Sequence, residues 1–325
     1  VTKCYNKQYL WRGINMTKET NIKLEKYLEQ NLAKIEQYDP FLYNEMQTIY
    51  EILKDAEYPL DTGLTQGPLP MVSSEEAVTL AAEFLEKCNP EYKEKLLNDY
   101  YMGKITFNPK KESIMGWNAN TLDYNINIRQ TNIITMASEL VHEYFHTLNI
   151  NLYVLRSAFT EIVSITAELM FLEFLKEKNY NEYTLNLIKQ IRRNFYNNNL
   201  HALKLMFPLY LDKKENSFVS QETYQKLPSL VGTSEQNIDY NIEKVMKTNK
   251  TNLECYTHTI GYIHAREAIC KGFTYQDLEA INEDLKNADF ENFLKRIVGN
   301  DTIDTMHTYA TKNDFVYQPI KKVKK

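Results

Sequence analysis

The sequence is poor in the residues that make turn-rich or cross-linked folds. Nine glycines and nine prolines in 325 residues supply little of what an all-β architecture needs, so long uninterrupted helices are expected. The four cysteines, Cys4, Cys88, Cys255 and Cys270, are scattered and form no C-x-x-C pair. That spacing offers neither a disulfide framework nor a cysteine metal cluster, and it suits free thiols in a reducing compartment. No apolar run approaches the roughly 20 residues that a bilayer-crossing helix needs, so no membrane association is expected. No charged, apolar and small-residue leader opens the chain, which points to the cytoplasm; Val1 in place of Met leaves room for a removed leader or an upstream domain. An excess of positive charge is also missing. A net charge of -5 argues against nucleic acid as the main partner.

Helical periodicity fills most of what is there. Residues 18–58 read as two helices broken at Pro40, and residues 59–72 as a linker punctuated by Pro59, Gly63, Gly67, Pro68 and Pro70. Ser73 and Glu76 have the spacing of a capping box at the head of the next helix. That helix stops near Pro90, and another runs from Glu91 to about Tyr101. Lys104 to Phe107 and Ser113 to Trp117 are strand-like. Leu122 to Arg129 alternates apolar and polar residues, as a half-buried strand does. Helices then dominate to about residue 211 and again from Cys255 to residue 297, with a polar stretch rich in helix breakers over 212–250. The 24 tyrosines read mostly as amphipathic residues at the edge of a core. Lys321 to Lys325 form a basic tail.

The chemistry concentrates at residues 140–149, Leu-Val-His-Glu-Tyr-Phe-His-Thr-Leu-Asn. His142 and His146 stand one helical turn apart on one face, where both imidazoles can reach a Zn²⁺ at about 2.0–2.1 Å. Glu143 sits beside the first of them, placed to meet a metal-activated water without ligating the metal. A catalytic zinc needs a third protein ligand and one open position. Glu161 is the preferred candidate, on a helix expected to start near Leu155 and to return antiparallel past the first after a turn at Asn149 to Asn151. Glu168, two turns further on the same face, is the rival; whichever does not ligate would orient a ligand imidazole. Both carboxylates stand among apolar neighbours such as Ile162, Val163, Leu169 and Met170, and a buried pair in that company wants a cation.

Glu161-Ile-Val-Ser164-Ile-Thr-Ala-Glu168 resembles the E-x-x-S-x-x-x-E helix of the oligoendopeptidase F and thimet oligopeptidase family. The approach to the zinc helix is similar too, through Ile114-Met-Gly116-Trp117 and the strand Tyr124 to Ile128. Downstream, Cys255-Tyr-Thr-His-Thr-Ile-Gly-Tyr262-Ile resembles that family's Tyr-rich helix. The resemblance covers roughly residues 73–300. The chain departs from the family pattern in carrying Phe145 where Gly is usual, in a short loop between the zinc helices, and in lacking the His that normally precedes the Tyr-rich segment.

The resemblance implies a mainly α (α+β) fold: a multi-helical, zincin-like metallopeptidase with a small antiparallel sheet beside the H-E-x-x-H helix. It divides the chain into an N-terminal helical segment and linker (1–72), a zinc peptidase domain (73–319) and the tail (320–325). It implies Zn²⁺ held by His142, His146 and Glu161, supported by Glu168, with Glu143 as general base and acid. Tyr262 is the first candidate for the donor that meets the oxyanion, with His258 and His264 as alternatives. The expected partner is a short or unfolded peptide added along the 121–129 strand. The competing expectation is a degenerate zincin that binds peptide or metal without cleaving.

Overall fold

The computed structural model describes residues 18–38, 40–53, 69–118, 121, 123–150, 157–231, 237–248, 254–298, 307–309 and 317–319. Most of the expected linker 59–72, the turn residue Asn151, Leu155, Cys4 and the tail Lys321 to Lys325 lie outside them. The elements are α1 (Lys18–Gln30), α2 (Leu32–Tyr38), α3 (Pro40–Leu53), α4 (Ser74–Cys88), α5 (Pro90–Tyr101), β1 (Ile105–Asn108), β2 (Ile114–Trp117), β3 (Tyr124–Arg129), α6 (Thr135–Leu148), α7 (Ser157–Glu177), α8 (Glu182–Asn216), α9 (Gln221–Val231), α10 (Ile238–Thr248), α11 (Glu254–Cys270), α12 (Tyr275–Lys286), α13 (Phe290–Val298), β4 (His307–Tyr309) and β5 (Tyr317–Pro319). The fold is mainly helical with a small sheet, as the composition implies.

Local signals start these helices where the sequence puts them. Ser73 accepts from the Glu76 backbone N–H at 3.1 Å while Glu76 accepts from Ser73 N–H at 2.6 Å, the reciprocal box that opens α4. Pro40 and Pro90 stand at the first positions of α3 and α5, where a missing N–H costs nothing. The polar stretch 212–250 departs from expectation, since it carries α9 and α10. Tyr224, Leu227 and Val231 line one face of α9, and Ile238, Ile242 and Val245 one face of α10. A narrow apolar stripe at helical spacing suffices when another helix covers it.

The sheet differs from the expected antiparallel one. Its order is β1-β3-β2, with β1 parallel to β3 and β2 antiparallel to it. α5 enters β1, and the chain reaches β3 only after β2 has formed the opposite edge. β3 is therefore paired on both sides: Ile126 faces Ile105 on one flank and Met115 on the other. The expectation that 121–129 offers a free edge to an extended peptide is overturned, because its backbone groups are already spent on β1 and β2.

Two hydrophobic cores share the molecule. One gathers α4 to α7, the sheet, α12 and α13. The other gathers α1 to α3, α9 and α10 around the middle of α8. α8 and α11 run through both. Leu185, Ile188 and Tyr196 of α8 belong to the first core, and Leu200 to Tyr210 contribute to the second; Tyr262 and Ala265 of α11 lie in the first, Tyr256 and Ile260 in the second. A buried contact of 2.7 Å between His264 Nε2 and Glu45 Oε2 ties α3 to α11.

Candidate metal centre

α6 is buried on nearly every side, with Met136, Leu140, Val141, Tyr144 and Phe145 fully covered. Its two histidines are carried into the interior with it. His142 Nε2 and His146 Nε2 lie 3.2 Å apart. α7 passes α6 antiparallel, so His146 meets Glu161 and Ser164 while His142 meets Glu168 further along. Glu161 Oε1 stands 3.5 Å from His146 Nε2, and Oε2 stands 3.5 Å from His142 Nε2. Four donors around a tetrahedral zinc bonded at about 2.0–2.1 Å would be about 3.3–3.4 Å apart. The Nε2–Nε2 distance is close to that figure, and each carboxylate oxygen stands near it from one of the two imidazoles.

The far side of each imidazole is also held. His142 Nδ1 is 3.2 Å from Glu168 Oε2, and His146 Nδ1 is 3.2 Å from Ser164 Oγ. With Glu168 and Ser164 standing beside the two Nδ1 atoms, the two Nε2 atoms are turned toward each other and toward the Glu161 carboxylate. Glu161 Oε2 is buried, and among the described residues no group donates a hydrogen bond to it. Electron-rich atoms of three side chains converging in a buried interior fit a cation, and two nitrogens with one carboxylate are a zinc-type donor set.

The electrostatics agree. Burial works against the charge of Glu161, yet the histidines at positions 258, 146 and 142 hold its carboxyl below the usual range. Burial opposes the charge of Glu168 as well, and Arg192 and His142 outweigh it in the same direction. Without a cation, burial pushes His146 down to about 3. Burial also opposes the charge of His142, but Glu168 and Glu161 raise it to about 9.

Glu143 is not among the converging atoms. Its Oε2 accepts from the Met115 backbone N–H at 2.8 Å, so the outer edge of β2 fixes the carboxylate. Burial lifts it to about 7, with the charge of His142 opposing. A carboxyl that titrates near neutrality can both take and return a proton.

α11 closes the group from the other side. Gly261 makes this approach possible: a Cβ there would lie 2.9 Å from Ile165 Cδ1 and 3.0 Å from the Glu161 backbone carbon. One turn earlier, His258 Nε2 comes within 3.4 Å of Glu161 Oε2, its ring parallel to that of His142 at 6.1 Å between centroids. Among the described residues, His142, Glu161 and His258 form a second, overlapping set whose ligand atoms all lie within 4.8 Å of one another. Tyr262 is 1 % exposed and stacks on Tyr196, with centroids 4.1 Å apart. His264 is engaged with Glu45.

A helix over this stretch was expected, but the contribution of α8 to the centre was not. Arg192 Nε reaches Glu168 Oε1 at 2.6 Å, and the Tyr196 hydroxyl donates to Glu168 Oε2 at 3.2 Å. Phe195, 47 % exposed, sets its ring edge-on to His258 at 5.9 Å. One signal was available: Arg192 and Tyr196 are a turn apart on the face that also carries Ile188, so they belong to its buried side.

No protein-family model matches the chain, and no curated protein matches it in sequence. Its fold is similar to the crystal structure of a "putative peptidase" from Chlamydophila abortus, at a TM-score of 0.50 and 15% identity, over 88% of this chain and 50% of that one. The chain thus spans half the length of that protein. A likeness at this identity concerns the framework alone: a peptidase-named protein uses the same helical architecture.

Proposed function

We propose that this chain is a zinc metallopeptidase that hydrolyses short or unfolded peptides. The observation that carries the reading is the convergence of His142 Nε2, His146 Nε2 and the Glu161 carboxylate at 3.2–3.5 Å from one another, with Glu143 alongside but outside the set. Zinc, held by these three residues, would supply Lewis acidity to the scissile carbonyl and to water. Glu143 takes a proton from the attacking water at its carboxylate and returns it to the departing amine. The Met115 N–H keeps that carboxylate oriented. His258, partly exposed and beside Glu161, is the better situated of the candidate donors to the developing oxyanion; Tyr262 lies behind it in the Tyr196 stack. The narrower likeness to the oligoendopeptidase F and thimet oligopeptidase family is carried by the motif residues.

The substrate class follows from burial. His142, His146 and Glu161 are 8 %, 3 % and 5 % exposed, so a folded surface would not reach them while an extended chain could. With β3 closed, the outer edge of β2, which already gives Met115 N–H to Glu143, is the edge available beside the centre. A second reading is favoured by His258. If it occupies the fourth position, the protein binds metal without cleaving. A peptide-library digest followed by mass spectrometry, with and without chelator, separates the two. Cleavage that chelator abolishes supports the peptidase; zinc bound without any cleavage favours the closed site.

A further inference from the structure

α8 contributes to the centre without touching the converging atoms. Glu168 is 1 % exposed and its two oxygens are divided between two helices. Oε1 pairs with Arg192 Nε at 2.6 Å; Oε2 takes the Tyr196 hydroxyl at 3.2 Å and faces His142 Nδ1 at 3.2 Å. A buried carboxylate with one oxygen clamped has its remaining lone pair aimed, and here it is aimed at an imidazole whose other nitrogen joins the converging set. Arg192 is itself oriented from a third helix. Its Nη2 donates to Ser138 Oγ at 3.0 Å and lies 3.7 Å from Glu139 Oε1, both on α6 one turn before His142. The guanidinium therefore bridges α6 and α7 through charged and neutral contacts at once, as the fixed fork of its donors allows.

We propose that Arg192, assisted by Tyr196, is a positioning residue: acting through Glu168, it fixes the orientation of the His142 ring and so sets the affinity of the centre for a divalent cation. The inference rests on the metal centre proposed above. Arg192 offers no ligand atom, so its removal leaves the donor set complete. What is lost is the alignment of the carboxylate. The His142 ring is then no longer held toward the converging set, and metal must realign it on binding.

The test is zinc affinity, measured by competition with a chromophoric chelator, for the wild type, Arg192→Met, Arg192→Lys, Glu168→Gln and the Arg192→Met/Glu168→Gln double variant. Arg192→Met is expected to weaken zinc binding by about 10–100-fold, with partial recovery in Arg192→Lys. In the Glu168→Gln background the same change is expected to cost little more, because the two act through one contact. Affinity within twofold of wild type in Arg192→Met, or a loss undiminished in the Glu168→Gln background, overturns the proposal. A merely structural role would not move the imidazole nitrogen spectrum. In chelator-treated protein, His142 should give one set of imidazole nitrogen signals in the wild type and a shifted or heterogeneous set in Arg192→Met. Should Arg192→Met fail to fold, Arg192→Lys and Tyr196→Phe carry the same spectrum and affinity comparison. If the wild type takes up no zinc, the metal reading falls, and the spectrum alone still decides: an unchanged His142 spectrum in the variant overturns the inference.

Discussion

At the residue scale, the assignment of Glu143 makes the sharpest demand. It neighbours a proposed ligand, is anchored by a backbone N–H at 2.8 Å, and is held by burial where it can exchange a proton. Glu143→Gln keeps the shape and the anchor and removes the base. Zinc content is expected to stay at the wild-type level while kcat falls by about 10²–10⁴-fold; elemental analysis beside steady-state kinetics checks both. An active Glu143→Gln enzyme would transfer the role elsewhere. The two donor candidates separate in the same assay. A donor must reach the substrate, and Tyr262 is enclosed against Tyr196 whereas His258 borders Glu161 and the exposed Phe195. His258→Ala is expected to lower kcat by about 10²-fold with KM little changed, and Tyr262→Phe to lower it less. The reverse order would return the role to Tyr262.

At the element scale, the centre depends on how closely three helices can approach. Gly261 has no Cβ to keep α11 away from Glu161 and Ile165. Gly261→Ala forces either the Ile165 methyl or the α7 backbone to shift, an overpacking that costs about 1–3 kcal/mol and moves His258 relative to Glu161. A lower melting temperature together with reduced kcat is expected, measured by calorimetry and kinetics on one preparation; an unchanged enzyme would mean that α11 is not seated against α7 at this point. The same scale explains what the sequence revealed. The His142–His146 pair and the Glu161 and Glu168 carboxylates are legible because their spacing is local and charges in an apolar run stand out. Arg192 is illegible as a partner because an arginine in a polar helix such as α8 looks solvated until α7 covers it. α9 and α10 were hidden by averaging, since three apolar residues on one face vanish in a polar window. The parallel pairing of β1 with β3 is non-local, and alternation along a strand carries no information about which neighbours it will have.

At the scale of the whole molecule, the centre lies where α8 and α11, the helices common to both cores, meet α6 and α7. A cation bound there would be linked to global stability. Zinc at a thousandfold excess over its dissociation constant adds about 4 kcal/mol to the folded state, enough to raise the melting temperature by several degrees. That rise should vanish in Glu161→Ala, which removes one of the three converging groups, and a persistent rise would place the ion at other residues. The most direct measurement is a zinc titration of the chelator-stripped wild type, following cleavage of an unstructured peptide. Cleavage should be absent at the start, rise in proportion to added zinc, and level off at one ion per chain. Equal cleavage without metal, or none with one zinc bound per chain, would contradict the proposed peptidase.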